Sequence, residues 1–163
     1  INVAGMLLAF IALISLTDFL FISAGEVIHF SSWAPSMTHQ PAQLSLDWMM
    51  SWFFSPISFF MGISWSDIPI ASTLLGKKTV FNEFLAYMEL SQQAQHLHDQ
   101  RSMIILSYAL CGFSNFSSIA IQIGGIGTIA PNRKKDLALL GLRSVVGGSL
   151  ACFITSCIVG VLL

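Results

Sequence analysis

Residues 102–132 form a run of 31 positions without one Asp, Glu, Lys or Arg, and residues 1–17, 48–66 and 144–163 are likewise uncharged. That spacing constrains the fold more than any single motif, because a helix needs about 20 mostly apolar residues to cross a hydrocarbon core about 30 Å thick. Charged residues make up 9% of the chain, far below the roughly one quarter of a soluble domain. Apolar residues make up 55% and the mean hydropathy is +0.76. The chain therefore reads as an all-α membrane protein. Seven Lys and Arg balanced by eight Asp and Glu leave no basic face for phosphate, which excludes a nucleic-acid partner.

The N-terminal residues enter an apolar run at once, with no basic n-region and no small-residue cleavage site, so they do not form a signal peptide. With no initiator Met, the chain is expected to start partway through a larger protein. Cys111, Cys152 and Cys157 are an odd number set in apolar stretches. They are expected to be buried free thiols acting as small apolar residues, and neither a disulfide nor a metal site.

Five segments follow from the hydropathy and the punctuation. Residues 1–22 read as a spanning helix whose end Asp18 and Glu26 mark. Gly25, Glu26, His29, Pro35, His39 and Pro41 then give residues 23–45 the chemistry of a loop at a membrane surface. Residues 47–64 crowd Trp and Phe around Pro56, as suits a helix lying in the lipid–water interface; a true crossing is the alternative. Residues 66–93 hold two apolar pieces of about half the spanning length, separated by Gly76-Lys77-Lys78, which is the pattern of a re-entrant helical hairpin. A polar loop over residues 94–101 leads to a broken spanning helix at 102–131 and a final span at 136–163, capped by Asp136. The Arg133-Lys134-Lys135 cluster places that connection on the cytoplasmic side, so the C-terminus, the loop 94–101 and the mouth of the hairpin face outward.

The chemistry should lie where polar groups occur at membrane depth. Gly112-Phe113-Ser114-Asn115-Phe116-Ser117-Ser118 interrupts the longest uncharged run. On a continuous helix Asn115, Ser118 and Gln122 would fall within roughly 60° of one another. Such a stripe is either interhelical glue or, with its glycine, a helix break whose backbone faces a cavity. Glu83 is a carboxylate inside the hairpin, either functional, or a surface residue near the hairpin's mouth, or neutralised by Lys78. Glu89 and Asp99 are expected to be solvated. Gly125-Ile126-Gly127 with Ala130 matches a dinucleotide fingerprint in letters only and reads better as helix termination. His96, His98 and Asp99 do not share a helix face, no Ser lies near a His in the apolar segments, and nothing supports catalysis.

Two longer stretches carry a specific resemblance. Gly76-Lys77-Lys78-Thr79-Val80-Phe81-Asn82-Glu83-Phe84-Leu85-Ala86-Tyr87 resembles the G-x-K-x-x-x-N-E-F-V-A-Y signature of the concentrative nucleoside transporters. Ala109-Leu110-Cys111-Gly112-Phe113-Ser114-Asn115-Phe116-Ser117-Ser118-Ile119 is similar to their second signature, A-L-C-G-F-A-N-F-S-S-I. Leu85 and Ser114 depart from the usual Val and Ala, and Lys77 adds a cation.

The resemblance implies the C-terminal half of such a transporter. This is the second of two inverted repeats in a cation-coupled nucleoside symporter, a homotrimer of the plasma membrane or, in a prokaryote, the inner membrane. It implies that Glu83, Asn115 and Ser118 hydrogen-bond the ribose, with Phe113 beside them and Asn82 in the same substrate-binding set. The coupling ion, Na+ or H+, is expected mainly in the N-terminal half, with no metal site in this half and no organic cofactor. The competing expectation is a membrane sensor or scaffold that binds in the same pocket without transporting. The chemistry suits the implied roles, since a carboxylate offers two acceptors to vicinal hydroxyls and Asn and Ser both donate and accept. A sugar lacking one hydroxyl leaves a buried group unpaired, which is how such a site discriminates.

Overall fold

The computed structural model describes residues 2–35 and 42–163; His39 and Pro41 of the expected surface loop lie outside the described residues. Among the described residues eight helices succeed one another: α1 (Asn2–Val27), α2 (Phe30–Trp33), α3 (Leu46–Phe60), α4 (Ile68–Val80), α5 (Glu83–Gln93), α6 (Gln100–Leu110), α7 (Phe116–Ile129) and α8 (Lys134–Leu162). Short 3₁₀ turns at Trp65–Asp67, Ala94–His96 and Pro131–Arg133 join them, and among the described residues all regular structure is helical.

Among the described residues two helices are long and apolar enough to cross a membrane, over Leu8–Val27 and Pro131–Leu162. Their apolar side chains point outward: Leu13, Phe19 and Leu20 of α1 and Leu142, Ile154 and Ile158 of α8 are all more than half exposed. α1 runs past the expected end at residue 22, because Asp18 does not terminate it. The Asp18 carboxylate accepts the Leu46 N–H at 2.8 Å and so anchors the first turn of α3 from the side of α1. Asp136 does not cap α8 either. The helix starts two residues earlier, and Asp136 pairs with the Arg133 Nε, where a first-turn carboxylate suits the helix dipole.

α3 and α4 lie antiparallel along their length. Ser45 caps α3 by accepting the Trp48 N–H at 3.1 Å, and Pro56 sits within the helix without ending it. Ser51 donates to Thr73 at 3.2 Å, and a Cβ on Gly76 would stand 3.0 Å from the Met50 Cβ and 3.3 Å from the Asp47 carbonyl. Gly76 therefore permits close packing and does not interrupt the helix as expected; the hairpin's break comes at Phe81 and Asn82. Behind this pair lies the core, in which Leu74 and Leu75 of α4 meet Ile105, Leu106 and Leu110 of α6, Phe54 of α3 and Phe153 of α8.

The mouth of the hairpin is closed by one carboxylate. Asp67, fully buried before α4, accepts the His98 N–H at 2.9 Å and the Asp99 N–H at 3.2 Å, and the His98 ring Nδ1 lies 3.1 Å away. Burial works to raise the Asp67 carboxyl, but the His98 N–H, the Ser102 hydroxyl, the His98 ring and the Asp99 N–H outweigh it and hold it below the usual carboxylate range. Asp99 is not simply solvated: it caps α6 by accepting the Arg101 N–H at 2.9 Å. α7 passes through Gly125 and Gly127 and stops at Ala130, before Pro131, so those glycines do not end it. A Cβ on Gly127 would meet Lys134 at 3.1 Å, again a packing role. The three cysteines are free, but they are not all buried: Cys111 is exposed and Cys152 and Cys157 are half-buried.

Candidate functional site

Two helix breaks face each other, and the same device builds both. At the first, α4 ends at Val80, the Phe81 N–H closes the last turn on the Lys77 carbonyl at 2.9 Å, and the chain extends through Asn82. The Asn82 side chain accepts the Leu85 N–H at 2.9 Å, capping α5 and setting Glu83 in its first turn. At the second, α6 ends at Leu110, residues 111–115 are irregular, and Asn115 caps α7 by accepting the Ser118 N–H at 2.8 Å.

A helix C-terminus leaves carbonyls without intrahelical donors. At α6 five consecutive ones are provided for. The Tyr87 hydroxyl donates to Ser107 at 2.5 Å, the Cys111 N–H to Tyr108 at 3.2 Å, the Lys78 ammonium to Ala109 at 3.0 Å, the Gly112 N–H to Leu110 at 2.8 Å and the Cys152 thiol to Cys111 at 3.5 Å. Three of these donors come from α4, α5 and α8, so the break is held open by its neighbours.

Side chains then join the two breaks. The Asn115 amide donates to Glu83 Oε2 at 2.9 Å. The Ser117 hydroxyl lies 2.8 Å from the Phe81 carbonyl and 2.7 Å from Asn115 Oδ1, one proton between two acceptors. The Ser118 hydroxyl completes the group at 2.8 Å from Asn115 Oδ1. The crossing thus brings together the N-termini of α5 and α7 with an acid, Glu83, and the C-termini of α4 and α6 with a base, Lys78. Each charge faces the dipole ends that stabilise it.

Of the expected site residues, Glu83, Asn115 and Ser118 converge. Asn82 sits beside them and turns the hairpin. Phe113 shares the second break but is 75% exposed, directed outward and not packed against the polar group. The expected stripe does not form: Asn115 is a cap outside the helix, so the continuous-helix angle does not apply, and Gln122 is exposed. Lys78 does not neutralise Glu83 by an ion pair; it turns instead to the Ala109 carbonyl. Glu89 is not solvated, since Lys77 bonds it across the hairpin and lies 4.0 Å from Asp47. Ser114 is buried, its hydroxyl unpartnered against Gly148. The sequence does not single out Ser117, although its place two residues after Asn115 in the same motif was an available signal. Among the described residues no group of three or more His, Cys, Asp or Glu could hold a metal ion, and the His98 ring is directed to Asp67.

Short helices that stop inside a bundle and turn their ends to a shared point are the architecture of membrane carriers. The chain belongs to the family described as "Na+ dependent nucleoside transporter C-terminus", which matches residues 1–160. It is 41% identical over 175 residues to Solute carrier family 28 member 3 of Mus musculus, covering 99% of this chain and 23% of that protein. It is 36% identical to Sodium/nucleoside cotransporter 1 of Mus musculus, covering 99% of this chain and 25% of that protein. Its fold matches a structure of CNTnw in an outward-facing state with a TM-score of 0.82 at 36% identity, over 98% of this chain and 38% of that one. The chain thus spans about a quarter of the length of these curated relatives, which are transporters and not enzymes.

Proposed function

We propose that this chain supplies the ribose-binding half of a cation-coupled nucleoside symporter working by alternating access, with Na+ as the coupling ion. The observation that carries the proposal is the Asn115 bond to Glu83, which joins a carboxylate at one helix break to an amide at the other. Oε2 takes that amide, and among the described residues nothing donates to Oε1, which is the acceptor for a ribose hydroxyl. Ser118 keeps acceptor lone pairs and Asn115 a second amide proton on the neighbouring helix end, and Phe113 supplies an exposed aromatic face at the same break. The names of the relatives support a nucleoside as cargo and sodium as driver.

The hairpin arms α4 and α5 have 13 and 11 residues. At 1.5 Å per residue they reach about 20 and 17 Å, short of a hydrocarbon core about 30 Å thick, which supports a segment that enters and returns on one side. On this reading α3 lies at the interface, the N-terminal half completes the site and binds the coupling ion, and three copies assemble in the plasma membrane.

The test is Glu83→Gln in the full-length protein. Uridine uptake into proteoliposomes should fall by roughly 100-fold or more, because one charged acceptor becomes a neutral donor and acceptor, while membrane insertion is unchanged. Near-normal uptake removes Glu83 from the site. Counterflow of labelled uridine separates transport from sensing, since a sensor binds without exchange.

A further inference from the structure

We infer that the Lys78 ammonium is a tethered cation that occupies, in this half of the molecule, the position an alkali ion takes at other broken helices, and that it holds the C-terminal ends of α4 and α6 together. Lys78 is 1% exposed and is the largest fully buried side chain among the described residues. Desolvation works against a charge there, so something specific must offset it. No carboxylate among the described residues lies within ion-pair distance of it. What surrounds it instead is the environment of a cation site. Its Nζ donates to the Ala109 carbonyl at 3.0 Å, it stands in the last turn of α4 and at the last turn of α6, and the Phe153 ring centroid is 6.0 Å away. Unwound carbonyls and half-helix C-termini are what coordinate Na+ in carriers built from broken helices, and a ring face adds its own attraction for a cation.

The backbone passes close to the ammonium: a Cβ on Gly112 would lie 4.0 Å from the Lys78 Nζ, in ordinary contact, and 2.5 Å from the Cys152 Sγ, so the glycine makes room for the thiol beside it. Ala109 also differs from its neighbours: the other four carbonyls between 107 and 111 take N–H, hydroxyl or thiol donors, and this one takes the only charge. A cation fixed to the chain cannot leave with the substrate, so this half of the site keeps its charge throughout a cycle. The inference concerns how the crossing is held and stands whether or not the cargo is a nucleoside.

The test uses the full-length protein in detergent and reads amide hydrogen exchange at Cys111 and Gly112, which needs no transport. Lys78→Ala should raise exchange at both by about tenfold or more, as expected when a charged hydrogen bond is lost. Propylammonium supplies the missing methylenes and the charge, and should return exchange toward the wild-type rate without changing the wild-type protein; 1-propanol should not. Lys78→Met keeps the volume without the charge, and should show the raised exchange with no rescue. Should Lys78→Ala fail to fold, the Met variant decides alone. Wild-type exchange in Lys78→Met, or equal rescue by 1-propanol, overturns the inference.

Discussion

α1 and α4 are opposites in composition and in surroundings. α1 carries no charge before Asp18, yet among its described residues only Ile14 and Gly25 are buried. α4 holds two lysines, a serine and two threonines in 13 residues, yet ten of its positions are buried. A helix that is apolar all round would lie at the centre of a soluble domain. Here the apolar helix faces outward and the polar one lies inside, as suits a membrane-embedded family, since polar groups need protein partners where hydrocarbon surrounds a fold. Hydropathy in this chain therefore reports which helix turns away from the core, and polarity which helix lies within it.

The comparison can be broken from either side. Leu74→Ala, at a fully buried position of α4, should cost about 2–5 kcal/mol, read as a large fall in the unfolding temperature in detergent. A small effect would mean that α4 is not the packed centre. Asp67→Ala should cost about 1–3 kcal/mol, because the His98 and Asp99 N–H groups lose their acceptor. Since the folded Asp67 carboxyl lies below its unfolded value, its contribution is complete above about pH 4 and is lost as the pH falls through the folded value. Protection of the His98 and Asp99 amides should accordingly hold from neutral pH to about pH 5 and decline only in stronger acid. Protection lost already between pH 7 and 5, where a carboxylate held below its usual range stays ionised, would show that the Asp67 carboxylate does not hold the clasp. The smallest effect belongs to Leu16→Ala on the outward face of α1, which should move the unfolding temperature within the scatter of surface substitutions, about 0.5 kcal/mol. A core-sized loss there would show that α1 packs against protein on that face.

The two long apolar helices, the pair of short helices α4 and α5 and the second break were legible in the sequence, because uninterrupted apolar length and its interruptions are written in the order of residues. Glu83 stood out as a charge among apolar neighbours, and the structure sets its carboxylate against the second break. The position of the hairpin's break was not. Gly76 has the propensity of a helix breaker, and only the approach of Met50 and the Asp47 carbonyl shows it as the point where two helices touch. The pairing of Glu89 with Lys77, 12 residues away, exists only after the hairpin folds, so a reading of neighbours leaves Glu89 in water. The helix angle that joined Asn115 to Gln122 assumed a continuous helix across the position where the chain starts a new one. Lys78 illustrates the limit best. Its closeness to Glu83 in sequence suggested an ion pair, while its partner carbonyl lies 31 residues along.

The Asp67 clasp has a mechanical meaning beyond its hydrogen bonds. By joining residues 31 positions apart it turns the hairpin into a closed ring of chain, with both arms leaving from one fixed point. The entropy of closing so long a loop is met once, on folding. After that the two arms share one fixed end, and the tip where Glu83 sits is the part of the ring farthest from it along the chain.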